Sequence, residues 1–336
     1  MLLIVFAFIL ILALAGIVAT IAVLRSGSAT PSSTEPAVAA AAAAAAAGGL
    51  TSRACVSKRR MPRIGLGVYA GQEAKGLNAG FEWRYYTMAE LSPTTRGEYD
   101  WSTLEKDLAG AHSRGRPMVV RIQDQSGTNS GDDNKSLLPS YVSQPNKVTV
   151  DGFVGVDWSS ADVQQFELDF FTAFAAKFDK DTRIAFLQVG WGFWSESHLY
   201  HDGKDHRQHG VNYPTKEYQA KFVDHLAGLF KCLTFSFSID GAFSGLPLDD
   251  LRYGVFNDSL TAKGSSSQDT YYKQLNFAER NKTQPSGGEF PDSIKTPFGE
   301  ASLLERVKQY NVQYVFANQQ REDPNWDSAV AAVMQT

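Results

Sequence analysis

Apolar positions recur along this chain with two different periods, and stretches of one alternate with stretches of the other. Short runs dense in valine, isoleucine, leucine, phenylalanine and tyrosine occur at 63–69, 81–91, 117–123, 183–190, 233–240, 252–258 and 312–319, and with the short segment 286–290 they read as eight strands. Between several of them the apolar spacing changes to three and four. Residues 100–115 are expected to be helical, with Ser102 and Glu105 as a capping box, Leu104, Leu108 and Ala111 as the apolar stripe, and Gly115 as the stop. A helix over 160–178 carries Val163, Phe166, Phe170, Phe174 and Phe178 on one side, and another over 216–231 carries Tyr218, Phe222, Leu226 and Leu229. Shorter helices are expected at 269–281, 302–310 and 326–334.

Strand–helix alternation implies parallel strands with right-handed crossovers. Eight such units predict an α/β protein built as a (β/α)8 TIM barrel over residues 61–336. The rival, an open doubly wound sheet, calls for a glycine-rich phosphate turn after the first strand. Gly65-Leu66-Gly67 lies inside that strand and lacks a third glycine.

Two segments precede the barrel. Residues 2–24 form an uncharged apolar run closed by Arg25, long enough for a transmembrane anchor. A signal peptide cleaved after Ala29 is the alternative for residues 1–25. Residues 26–60 read as a Ser/Pro/Ala-rich stalk without a packed fold, ending in a short basic patch of Arg53, Lys58, Arg59 and Arg60. Arg25 votes weakly for a cytoplasmic body. Three glycosylation triplets, at Asn134, Asn257 and Asn281, vote weakly for a lumenal or extracellular one, and the latter is expected, membrane-anchored or secreted. Cys55 and Cys232 either pair or are free buried thiols. A formal net charge of -4 argues against nucleic acid as a partner.

In a barrel the active site sits where the strands end. Past strand two comes Arg84, past strand three Arg121 and Asp124. Past strand four come Trp191, Trp194, Glu196 and His198. Asp240 ends strand five, Asn257 and Asp258 end strand six, Glu289 lies on strand seven, and Asn318 ends strand eight. Acids among flat rings suit a carbohydrate: rings cover C–H faces, while Asp, Asn and Arg bond to hydroxyls. Two carboxyls are the usual machinery for cleaving a glycosidic bond, one protonated and one ionised. Aromatic surroundings raise a carboxyl pKa, which suits Glu196 as the acid. Each position also has a structural reading. Glu196 could bond to a turn, Glu289 could mark a tight turn after two glycines, and the arginines could be barrel ion pairs. The tryptophans could be core, and Asn257 could carry a glycan.

These residues resemble the clan A glycoside hydrolases, in which an acid/base glutamate follows strand four and a nucleophilic glutamate ends strand seven. The resemblance gives those roles to Glu196 and Glu289 and implies a retaining mechanism. The body also resembles an uncharacterised β-galactosidase-like barrel family, through the 192–198 segment containing Trp194, Glu196 and His198. The likeness includes the region around Arg84, Tyr99-Asp100-Trp101-Ser102, Arg121 and Gly287-Gly288-Glu289. The pattern is broken at Ser195, where Asn is usual, and at Ser197, where the related family has Trp. Those departures motivate a second reading, a non-catalytic carbohydrate-binding barrel on a stalk. A third is a metal-dependent hydrolase using His198, His201, His206 and His209. That loop lacks a helical pair of ligands on a firm element, so neither a metal nor another cofactor is expected.

Overall fold

A computed structural model of the chain describes residues 65–71, 79–126, 135–147, 149–150, 153–197, 199–201, 204–205, 213–240, 245–257, 273–289, 310 and 312–316. The apolar run 2–24 and the stalk lie outside these residues. Among the described residues no helix is long and apolar enough to cross a membrane.

Eight parallel strands close a barrel in chain order: β1 Gly65–Tyr69, β2 Ala79–Thr87, β3 Met118–Gln123, β4 Ile184–Gln188, β5 Phe235–Ser238, β6 Gly254–Asn257, β7 Ser286–Glu289 and β8 Tyr314–Phe316. Closure is made by β1 against β8, with Gly65 opposite Tyr314 and Gly67 opposite Phe316. Every strand expected from the sequence is present. The second ends earlier than expected, because Thr87 caps a helical turn, Met88–Leu91, by accepting from the Glu90 amide.

Three long helices follow the expected stripes: α1 Ser102–Ser113, α2 Ala161–Phe178 and α3 Lys216–Leu229. The stripe residues Leu104, Leu108 and Ala111 of α1 are fully buried, as are Phe170 and Phe174 of α2. The capping box expected at Ser102 does not form. Asp100 accepts from the Ser102 amide instead (2.9 Å), and Glu105 reaches out to Lys177 and Arg183. Ser160 and Thr215 cap α2 and α3 through their hydroxyls.

The apolar side chains separate into two clusters. One lies between the barrel and its helices. The other fills the barrel and is mostly aromatic: Phe81, Trp83, Val119, Phe186, Phe256, Tyr314 and Phe316. Strand alternation sorts residues between them. Phe81 and Trp83 of β2 face inward, while Tyr86 joins the outer cluster. Gly67 makes room for the inner rings, since a Cβ there would stand 2.2 Å from the Phe81 ring.

Candidate active site

The interior aromatics surround one charge. Arg121 of β3 is completely buried, and its guanidinium lies 4.6 to 5.8 Å from the ring centres of Phe256, Tyr85, Trp83 and Phe316. Its hydrogen bonds reach three other strands and one loop. Nε donates to Gln188 of β4 (2.7 Å), and Nη1 donates to the Tyr85 hydroxyl of β2 (2.9 Å) and to Glu196. Nη2 donates to Glu289 of β7 (2.8 Å). Gln188 is held in turn by donating to Tyr314 of β8 (3.2 Å). Glu196 and Glu289, remote in sequence, are therefore joined through one guanidinium.

Burial opposes the charge on Arg121, but Tyr85, Glu289 and Glu196 more than offset it, so its pKa is raised and it stays cationic. The two acids are 5% and 6% exposed, nearly enclosed but not sealed. Trp83 adds a donor: its indole Nε1 is buried in the interior and makes no hydrogen bond among the described residues.

Glu196 is presented by a turn that a glycine-free stretch would not adopt unaided. Trp194, Ser195 and Ser197 all have left-handed backbones, with φ of 56, 61 and 59°. Each such residue costs roughly 1–2 kcal/mol. The surroundings hold the turn in place. Ser195 is buried and its hydroxyl donates to the Ile122 carbonyl of β3, while the amides of Ser195, Glu196 and Ser197 donate to the carbonyls of Gly192, Phe193 and Trp191. Gly190 is obligatory beneath it, because a Cβ there would lie 2.5 Å from the Ser195 carbonyl oxygen.

Of the residues expected from the sequence, the structure brings Arg121, Glu196 and Glu289 together. Arg84 is not with them. It alternates outward from Tyr85 and pairs with Asp107 of α1 and, at 3.8 Å, with Glu90. Trp191 is core rather than a sugar platform, buried against Phe222 (5.1 Å) and Phe237 (5.8 Å). Trp194 is partly buried and packs edge-on against Phe193. Asp240 is partly buried just past β5. Asn257 is completely buried at the end of β6 and makes no hydrogen bond to Arg121. His198, Asp258 and Asn318 lie outside the described residues. Sequence reasoning left out Gln188, Trp83 and Tyr314; their signal was the strand alternation that fixes which side chains share the interior with Arg121.

Asp124 belongs to a different cluster. It is fully buried past the end of β3, accepts from Trp158 Nε1 (2.5 Å), and faces the Gly192 amide. Close to it is Glu167 of α2, 1% exposed, whose Oε2 accepts from Tyr218 of α3 (2.7 Å) and from Trp191 Nε1 (3.2 Å). Burial is the largest influence on both acids and pushes both pKa values up, with Glu167 at about 7. The Glu167 charge raises Asp124 further.

Two of the glycosylation triplets are unsuited to a glycan in the folded chain. Asn257 is completely buried, and Asn281 is buried with its amide donating to Tyr310 (2.6 Å). Asn134 lies outside the described residues. Cys232 is bonded in a disulfide, and the chain's other cysteine, Cys55, lies outside the described residues. Among the described residues no group of three His, Cys, Asp or Glu could hold a metal ion.

No family model matches this chain, and no curated protein matches it. Solved structures do. The catalytic domain of β-amylase from Paenibacillus polymyxa aligns with a TM-score of 0.53 at 12% identity, over 80% of this chain and 96% of that domain. Endo-glycoceramidase II from Rhodococcus sp. aligns with a TM-score of 0.46 at 12% identity, over 76% and 73%. The catalytic domain of the major endoglucanase from Xanthomonas campestris pv. campestris aligns with a TM-score of 0.44 at 9% identity, over 78% and 86%. With the closed parallel barrel, the β-amylase likeness establishes the fold: this chain is a (β/α)8 barrel of the kind seen in that catalytic domain.

Proposed function

We propose that this protein hydrolyses glycosidic bonds, with Glu196 as acid/base and Glu289 as nucleophile. The observation that carries the reading is the bridge from Arg121 to both carboxyls, at the strand ends where barrel chemistry is done. The proposed chemistry uses one of these carboxyls neutral and the other ionised, the pair that glycoside cleavage needs.

In the proposed reaction Glu289 attacks the anomeric carbon while the leaving oxygen takes the proton of Glu196. Glu196, now ionised, then removes a proton from water, which displaces Glu289 and releases the sugar. Arg121 steadies whichever carboxylate is charged at each stage. Tyr85 and the unspent Trp83 indole N–H supply hydrogen bonds to sugar hydroxyls, and Trp194 an apolar face.

The second reading, a carbohydrate-binding barrel without turnover, draws on the same bridge. Contact with Arg121 favours the ionised form of Glu196, which opposes its use as an acid. The apolar run 2–24 supports an anchored or exported protein, and the disulfide at Cys232 fits an oxidising compartment. The test is a screen of the full chain against chromogenic glycosides, followed by NMR of the first-formed anomer. Retention of configuration is expected. Inversion would remove the nucleophile role of Glu289, and glycan binding without cleavage of any bound sugar would favour the second reading.

A further inference from the structure

Behind the turn that presents Glu196 lies the buried acid pair, Asp124 and Glu167, which takes no part in the proposed reaction. We propose that these two are positioning residues: a carboxyl pair holding a proton between them that fixes the 191–197 turn, and with it Glu196. The inference rests on the reading of Glu196 as acid/base.

Three observations lead there. Glu167 grips the turn by accepting from the Trp191 indole, and Asp124 lies near enough to the turn for the Gly192 amide to favour its charged form. Trp194, Ser195 and Ser197, just beyond, are the strained ones, where a loss of anchorage would first be felt. Second, the pair lacks a cation. The groups that face it are neutral donors, Trp158 from the segment before α2, Trp191 from the turn and Tyr218 from α3, and among the described residues no Arg, Lys or His bonds to either acid. Tyr218 is no source of charge, because burial and the Glu167 and Asp124 charges drive its own pKa far up. Third, one oxygen on each acid, Asp124 Oδ1 and Glu167 Oε1, is buried and makes no hydrogen bond among the described residues. Two adjacent carboxylates without a counter-ion are too costly to bury, so a proton stays. A proton carried on either of the two oxygens without donors displaces no hydrogen bond present in the structure.

The pH dependence follows from the sign of the shift. Glu167 is raised from 4.5 to about 7. Between those values the folded chain holds a proton that the unfolded chain has released, so stability is full at the acid end and falls as pH rises through this window. Ionisation of the second acid then sets two buried charges against each other beneath the turn, and Glu196 loses its position. The alkaline limb of activity reports that event.

The experiment uses the full chain with Glu167→Gln, a permanently neutral mimic of the protonated acid, Glu167→Ala, which drops both donors, and Asp124→Asn. Infrared difference spectra of the wild type at pH 6 should show a protonated buried carboxyl whose band shifts or is lost in Glu167→Gln and in Asp124→Asn. Its absence from the wild type overturns the proposal, and needs no variant to fold. The melting temperature should fall as wild type is taken from pH 5 to pH 8, and Glu167→Gln should flatten that fall; an unchanged slope overturns the proposal. On a glycoside substrate, Glu167→Gln should keep kcat within about threefold at pH 6 and extend the alkaline limb by a pH unit or more. Glu167→Ala should lose tenfold or more in kcat with KM little changed. An unchanged alkaline limb in an active Glu167→Gln enzyme overturns the positioning role. If wild type cleaves no glycoside, the reading of Glu196 falls instead, and the positioning role with it. The infrared and melting results still decide whether the pair holds its proton.

Discussion

Two pairs of buried acids lie in this barrel, and their partners make them opposites. Glu196 and Glu289 share Arg121, so their charge is supported by a cation. Among the described residues Asp124 and Glu167 meet indole, phenol and backbone N–H groups but no cation, so burial keeps a proton on them. Asp124 and Arg121 lie three residues apart at the end of the same strand, yet Arg121 faces the barrel interior while Asp124 meets Trp158 and α2. Proximity of two carboxyls says little by itself. Whether they act as a charged pair or a proton store depends on the cation beside them.

The sharpest way to break that contrast is to take the cation away. Arg121→Met should destabilise the fold by about 3–5 kcal/mol, since a buried carboxylate is left without its partner. Urea denaturation measures it, and the loss should shrink as pH is lowered and the acids take up protons. A loss below about 1 kcal/mol at pH 7 would mean that the two glutamates do not depend on Arg121. Next in size, Glu196→Gln should lower kcat by about 10²–10⁴ while leaving the melting curve near wild type, as expected for removal of a general acid. Steady-state kinetics on an aryl glycoside decide it. The smallest effect should come from the neighbour on the other face of β2. Arg84 meets Asp107 at a partly exposed site, so Arg84→Ala should cost about 1 kcal/mol or less and leave kcat/KM unchanged. A large loss of activity there would place Arg84 back in the site.

Much of this could be read from the chain. Most strands announce themselves because both faces of a parallel barrel are buried, which favours apolar runs; β7, Ser286–Glu289, is the exception. Glu196, Glu289 and Arg121 could be placed because they sit where strands end. Misplacement came from strand alternation, which the run hides: Arg84 and Tyr85 are adjacent, but only Tyr85 meets Arg121. Trp191 was misread for a similar reason, since a ring on a loop over the barrel can turn toward the mouth or toward the helices. Glu167 was missed although it stands out, an acid four residues from Val163 and Phe171 within the apolar stripe of α2. A charged residue in such a stripe marks a buried polar contact, but its partners Trp191 and Tyr218 become neighbours only through the fold.

The account turns on the claim that Glu289 attacks the sugar while Glu196 supplies the proton. Its most direct test is the turnover of a chromogenic glycoside by Glu289→Ala, alone and with added azide. Turnover should vanish with the fold intact, and azide should restore cleavage by entering the space left by the carboxylate and giving a glycosyl azide of inverted configuration. Hydrolysis by Glu289→Ala at the wild-type rate would contradict the account.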